Sequence, residues 1–400
     1  MANVSSSNGL EKYPKLRFKG FSEPWETDTL GNLGTFIKGA PLSKADITDE
    51  GTPFVLYGEL YTTYGEVTHS IKRRTDKVVE PQFYSKVGDV IMPTSGETPE
   101  DIATASCIIL PDVILAGDLL IYRTKKVDGR LVSFVVKNKV NKQISSVAQG
   151  KSVVHVRAEE LSKISISYPS DAEQQKILTM LELLEDKMAK QRELIEHLKK
   201  YKRGVSNTFF NDKVVAECSA VLPFGQAVEI NPKTKSLPTE FIYIDLESVE
   251  SGKLLQENII SRDNAPSRAQ RVLTKGDVLF QMVRPYQKNN FYFESELSLP
   301  AVASTGYAQI RCVDNDPLFV FEQISSDYFA NEAMLRSTGT GYPAINADSL
   351  AEIPFIKHPI EEQRKIGKFL YLLSQRIIQE ESKLEALLKV KGDMLQSLFI

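Results

Sequence analysis

Two polar stretches hold the residue types that recognise nucleic acid. Arg284-Pro-Tyr-Gln-Lys-Asn-Asn290 follows an apolar run, and Ser337-Thr-Gly-Thr-Gly-Tyr342 interleaves glycines with hydroxyl residues. Arg and Lys neutralise phosphates and read guanine, Asn and Gln pair with adenine, and glycine backbone with Ser or Thr hydroxyls approaches phosphates closely. The candidate DNA contacts here are Arg284, Tyr286, Lys288, Asn289, Thr338, Thr340 and Tyr342. The N-terminal half offers Lys72-Arg73-Arg74 and Lys125-Lys126, from which Arg73, Arg74 and Lys125 are taken as candidates. Each cluster by itself is equally what a solvated surface loop looks like. Tyr342-Pro343 fits a packed turn as well as a contact, and glycine can serve backbone geometry alone.

No catalytic signature accompanies these loops. The spacing GxxxxGK[ST] is absent, since Ser145 stands where the first glycine of Gly150-Lys151-Ser152 would belong. There is no Gly-x-Ser-x-Gly elbow, His-Glu-x-x-His or Gly-rich dinucleotide loop, and no Asn-Pro-Pro-aromatic run of the kind an amino-methyltransferase uses. Loop carboxylates are so numerous that any pair chosen as acid and base would be arbitrary. Cys107, Cys218 and Cys312 are far apart and odd in number, which argues against a disulfide framework and a zinc site. The four histidines show no ligand spacing, so the sequence assigns no catalytic and no metal residue.

The elements that position the loops are legible in a repeat. Leu161–Phe210 superposes on Leu350–Phe399 at an offset of 189 with one gap near a proline, laying Glu173-Gln-Gln-Lys-Ile177 over Glu362-Gln-Arg-Lys-Ile366. The apolar positions step by four and three in both copies, as in a coiled-coil seam. They are Ile177, Leu181, Leu184, Met188, Gln191, Ile195 and Leu198 in the first, and Ile366, Leu370, Leu373, Ile377, Glu380, Leu384 and Leu387 in the second. The rule is broken at matching places, Gln191 with Glu380 and, further on, Lys202 with Lys391. Pro169 and Pro359 precede each helix, where a proline interrupts no ladder. The first helix hands the chain to a second domain, so a second helix folding back along it gives an antiparallel pair with Gln191 near Glu380. Each helix packing separately on its own domain is the alternative. A seam of this length predicts a rod of roughly 50 Å.

The repeat reaches back into the domains. Gly150–Leu161 aligns with Gly339–Leu350, and Val87-Gly-Asp-Val-Ile91 with Lys275-Gly-Asp-Val-Leu279. Between these anchors the halves diverge. Short apolar runs such as Phe54–Tyr57, Leu119–Tyr122, Phe241–Ile244 and Val278–Phe280, with turn signals at Asp128-Gly129, Pro111-Asp112 and Ser251-Gly252, predict β-rich domains with few helices, one near Glu322–Leu335. The expected class is α+β: two similar β-rich globular domains separated by a long antiparallel two-helix coiled coil. The expected division is 1–160 and 211–349 for the domains, and 161–210 and 350–400 for the repeated linker and helix.

Four hundred residues suit about two domains, and a 42% apolar, 25% charged composition is that of a globular protein. No apolar run approaches the ~18 residues of a membrane span, and Met1–Gly9 reads as a polar tail rather than a signal peptide; a cytoplasmic location is expected. The net charge of −3 leans mildly against a standalone DNA binder, and a partner can supply phosphate contacts.

The chain resembles the specificity subunit of Type I restriction–modification enzymes. The resemblance rests on Pro14-Lys-Leu-Arg-Phe-Lys-Gly-Phe21 with Trp25, on Gly276-Asp-Val-Leu-Phe-Gln-Met-Val-Arg-Pro-Tyr286, on Ser337–Leu350, and on the twin Glu-Gln-x-Lys-Ile helices. It implies a non-catalytic subunit with two target recognition domains, each reading half of a bipartite, asymmetric site in double-stranded DNA. It also implies helices that dock two modification (methyltransferase) subunits, with restriction (translocase/nuclease) subunits added. S-adenosylmethionine, ATP and magnesium would sit on those partners and no cofactor on this chain. The first domain departs from the pattern, having Met92-Pro-Thr-Ser-Gly96 and Gln149-Gly-Lys-Ser152 in place of Val-Arg-Pro-Tyr and Thr-Gly-Thr-Gly, so contacts in the second domain do not transfer to it. The competing reading is a duplicated coiled-coil scaffold that binds only proteins.

Overall fold

The computed structural model describes residues 12–150, 153–217, 220–234, 236–294 and 297–400. Met1–Gly9, Lys151, Ser152 and Cys218 lie outside the described residues. The chain divides into two compact units, Met1–Ala189 with Glu385–Ile400, and Lys190–Leu384. Each unit therefore holds one globular body, part of its own long helix and part of the other. No helix among the described residues is long and apolar enough to cross a membrane.

In the first unit a five-stranded sheet runs in the order 34–38, 119–124, 89–93, 106–108, 67–68 beside a small sheet of 74–75, 52–56 and 114–116. Helix Gly129–Asn138 covers the larger sheet, and Leu131, Phe134, Val135 and Tyr122 share its core. In the second unit the sheets run 229–230, 307–311, 278–281, 291–292 and 258–261, 240–244, 301–304, 269–272. The apolar runs at 54, 119, 241 and 278 thus form strands. Ser251-Gly252, both at positive φ, turn the hairpin between Val249–Glu250 and Lys253–Leu254, as such hairpins require. Two local expectations are corrected. Asp128-Gly129 is no turn but the start of a helix, with Asp128 as its N-cap. The helix expected over Glu322–Leu335 is two, Pro317–Ile324 and Asp327–Leu335, because the Ser326 hydroxyl accepts the Phe329 N–H and starts a new helix.

The duplication runs deeper than the sequence anchors. Each globular body opens with a short strand paired antiparallel to the strand that precedes its long helix, Glu26–Thr29 with Ser165–Tyr168 and Val221–Pro223 with Pro354–Ile356. A buried parallel pair also recurs, Phe54–Leu56 with Ile114–Ala116 and Ile242–Ile244 with Ala301–Ala303. The Gly-Asp anchors now have a physical cause. Gly88 and Gly276 turn at φ +94° and +92°. The buried carboxylates that follow accept the Lys86 N–H at 2.9 Å and the Thr274 N–H at 2.8 Å. Each then binds an arginine on the adjacent strand, Arg123 Nε to Asp89 at 3.2 Å and Arg311 Nε to Asp277 at 2.9 Å.

The Glu-Gln motif acts in the same way. Gln174 accepts the Asp128 N–H at 2.9 Å and donates to the Pro169 carbonyl at 2.9 Å. Gln363 accepts the Asp316 N–H at 2.9 Å and donates to the His358 carbonyl at 2.8 Å. Asp128 and Asp316 both cap helices of the globular bodies, so each buried glutamine pins the start of a long helix to a helix start within its own body.

Asp171–Phe209 and Ile360–Leu398 are continuous helices of 39 residues each. Their pairing is antiparallel inside each unit. In the first, Ile177, Leu178 and Leu181 share a core with Leu395, Leu398 and Phe399, and Lys391 reaches Glu185. In the second, the Gln191 Nε2 donates to the Glu380 carboxylate at 2.6 Å, while Val205, Phe209 and Phe210 share a core with Ile366 and Leu370. Glu380, buried in the seam, also binds Arg376 and Lys383. A fully partnered polar layer of this kind fixes register better than another leucine would.

The other heptad breaks face the globular bodies. Lys202 binds the buried Glu322 at 2.8 Å, and Lys391 binds Glu66 at 3.1 Å. Burial pushes the Glu66 carboxyl up, but Lys137 and Lys391 more than offset this and hold it below the ordinary value. Burial pushes Lys391 down, and Glu66 with Glu185 more than offsets that, leaving it raised.

Two outcomes follow. Lys202→Met leaves Glu322 buried without its cation and costs about 3 kcal/mol in urea unfolding, whereas Lys202→Met with Glu322→Met recovers most of the loss; an equally unstable double variant would refute the pairing. For Lys391→Met, the deficit relative to wild type is largest in the middle pH range. It shrinks as pH falls through the lowered range in which folded Glu66 protonates, and as pH rises through the raised range in which folded Lys391 discharges. Urea midpoints across pH check this, and a deficit that widens at either extreme contradicts it.

Candidate nucleic-acid interface

In the second unit the strand Val278–Gln281 delivers the chain into a short helical turn, Pro285–Gln287, bracketed by Arg284 and Lys288 at φ +54° and +53°. Two consecutive changes of hand by non-glycine residues cost roughly 1–2 kcal/mol each. Strain of this size persists only where the surroundings over-determine it, and the buried amides do so. Asn290 accepts the Gln281 N–H at 2.9 Å and donates to the Ile324 carbonyl at 3.2 Å. Gln281 accepts the Asn289 N–H at 3.0 Å and donates to Gln287 at 2.8 Å.

The two predicted loops form one surface. Val283 and Thr338 both bridge to Ala344, and the Arg284 N–H donates to the Pro343 carbonyl at 2.7 Å. The Arg284 guanidinium lies over the Tyr342 ring, 4.4 Å from its centroid. Such a stack holds a cation in place without neutralising it. Tyr286 and Tyr342 remain 53% and 71% exposed, large rings presented to solvent beside a strained turn. Thr340 is exposed between the glycines. Lys288 and Asn289 serve differently from Arg284: the Lys288 ammonium binds Asp327, holding that carboxyl below its ordinary value, and the Asn289 side-chain oxygen accepts the Ser251 N–H at 3.2 Å. Both brace the loop.

The first unit repeats this backbone with other side chains. Ser95 and Gln149 both bridge to His155, as Val283 and Thr338 do to Ala344. Gly150 and Gly339 occupy matching turns at φ +141° and +91°; a Cβ on Gly150 would fall 1.9 Å from the Val153 carbonyl oxygen. The Tyr61 hydroxyl donates to the Ser95 carbonyl at 2.6 Å, and the Thr94 N–H to the Asp118 carbonyl at 2.8 Å. Ser95, Gln149 and His155 are thus the structural counterparts of Val283, Thr338 and Ala344; Gln149 and His155 are exposed and Ser95 is buried. Motif reading passed over them, although the alignment of Gly150–Leu161 on Gly339–Leu350 already places His155 over Ala344.

The basic candidates of the first unit are not brought together. Arg73 binds the buried Glu59 through Nε at 2.8 Å, and Arg74 donates to the Gly51 carbonyl at 2.9 Å. Lys125 lies elsewhere. Strand Leu119–Thr124 starts opposite Pro93, beside the Ser95 loop, and runs away from it past Val90, so Lys125 emerges at the far end of the sheet. Strand direction separates it from the surface around the Ser95 loop.

Residues 22–200 match the family described as Type I restriction modification DNA specificity domain. The Type I restriction enzyme MjaVIII specificity subunit of Methanocaldococcus jannaschii is 22% identical over 413 aligned positions, covering 97% of this chain and 95% of that one. The EcoDI specificity subunit of Escherichia coli is 22% identical over 56% of this chain and 58% of its own. Among solved structures, the S subunit of a Type I restriction–modification system from M. genitalium shares the fold with a TM-score of 0.66 at 18% identity, over 97% of this chain and 99% of that one. Residues 22–200 thus match a Type I restriction modification DNA specificity domain, and nearly the whole chain is similar to Type I specificity subunits.

Proposed function

We propose that each unit reads one half of a bipartite, asymmetric duplex site, with the paired loops entering the major groove and basic side chains gripping phosphates. The chain is a non-catalytic subunit that supplies DNA recognition to a Type I restriction–modification assembly. One observation carries the two-reader mechanism. The same three-segment bridge joins Ser95, Gln149 and His155 in one unit and Val283, Thr338 and Ala344 in the other, and the exposed side chains on it differ: Gln149 and His155 in the first, Arg284 stacked on Tyr342 in the second. One frame with two sets of side chains is what reading two different half-sites requires. Half-sites about one helical turn apart, or somewhat more, suit two such readers on one face of the duplex.

The long helices act as the spacer ruler in this reading. They also dock two modification subunits, for which they offer matching apolar positions. Leu183 and Leu372, one repeat apart in sequence, are 65% and 56% exposed on helices whose seams are otherwise covered. S-adenosylmethionine, ATP and magnesium belong on the partner subunits, including the restriction subunits, and the assembly works in the cytoplasm.

Removing one heptad from each helix shifts the tolerated spacer length, as read by methylation of a library of duplexes with varied spacers; an unchanged optimum removes the ruler. Arg284→Ala weakens the assembled enzyme on its own site and lowers the salt dependence of binding. Titrations at several salt concentrations that overlay the wild type would strike Arg284 from the contacts.

A further inference from the structure

Arg73 is a positioned arginine with its reading edge free. A guanidinium has two donor edges, and the Nη1–Nη2 edge matches the O6 and N7 acceptors of guanine. The buried Glu59 carboxylate takes the Arg73 Nε at 2.8 Å and the Leu56 N–H at 3.1 Å, so it is itself fixed to backbone. Neither Nη of Arg73 has a hydrogen-bond partner among the described residues. The other carboxylate-held arginines of this unit differ. Arg123 turns Nη2 onto the Gln82 and Tyr84 carbonyls, Arg130 uses both Nη groups on Asp128, Gln175 and Glu182, and Arg17 spends Nη2 on Glu173 and Glu23. Their edges are structural, whereas that of Arg73 is available.

The surroundings point to a duplex. Arg73 lines an open cleft of about 1100 Å³ with Lys38, Lys44, Tyr57, Glu59 and Phe83. Lys38 and Lys44 are exposed there, suited to phosphates, and neither is ion-paired among the described residues. Gly117 and Asp118 also line the cleft, and the Asp118 carbonyl accepts the Thr94 N–H, so the cleft opens at the sheet end that carries the Ser95 loop. Resting on the reading of this chain as the DNA-specificity subunit, we propose that Arg73, positioned by Glu59, reads a guanine in the half-site of the first unit. Arg73 is the specificity-determining residue and Glu59 its positioning residue.

The test uses the chain assembled with its modification subunits and a duplex library randomised at every base pair, with methylated products sequenced. Wild type selects a motif with a guanine, on either strand, in the half that Arg284→Ala leaves untouched. Arg73→Ala relaxes that base pair alone by roughly tenfold or more, with the other half and the spacer unchanged. Arg73→Lys, which keeps the charge, relaxes it as well, and Glu59→Gln relaxes the same base pair less. Folded Arg73 variants with an unchanged motif, or with a uniform loss at all positions, overturn the inference. A wild-type motif without guanine in that half does the same, whereas no motif at all from wild type overturns the underlying specificity reading.

Discussion

Everything in this fold hangs on how each long helix is held at its two ends. At its start, a buried glutamine side chain satisfies a helix-start N–H in its own globular body, Gln174 with Asp128 and Gln363 with Asp316. At its end, a lysine breaks the heptad to reach a glutamate of the body within the same unit, Lys202 with Glu322 and Lys391 with Glu66, and phenylalanines enter that body's core. Breaking a buried ion pair costs about 3–5 kcal/mol and orphaning a buried amide about 1–3 kcal/mol. These few polar groups therefore decide where each helix lies, and the seam follows.

With the frame fixed, the reading loops are free to differ. Their backbone is set by strand ends, two matching left-handed glycines and the bridges to His155 and Ala344. None of these requires a particular outward side chain. The second unit uses the freedom for a strained turn with an arginine stacked on a tyrosine. The first has an exposed glutamine and histidine there, with a glutamate-held arginine in a neighbouring cleft. Specificity can change at such loops without disturbing the elements that carry them.

The frame was readable because its polar pins break strong periodic patterns. Lys202 and Lys391 stand out as charges in a heptad, Gln191 and Glu380 as a polar layer, and the twin Gly-Asp and Glu-Gln motifs as identities at one offset. The repeat within the globular bodies was hidden, since its strands share alternation and burial rather than residue identity. Asp128-Gly129 misled because a turn and a capped helix start use the same residues. Among the candidate contacts, sequence could not show that Arg284 stacks on Tyr342, that Lys288 is occupied by Asp327 or that Lys125 leaves the sheet at its far end. Local composition reports what a side chain can bind, and only the strand register reports which surface it reaches.

The most direct measurement is the methylation pattern produced in cells by this chain with its modification subunits, mapped base by base. Two unlike readers on one duplicated frame predict a single asymmetric motif in two parts, separated by a spacer of fixed length and unspecified sequence. A contiguous motif, a palindrome, or methylation independent of sequence would contradict the account.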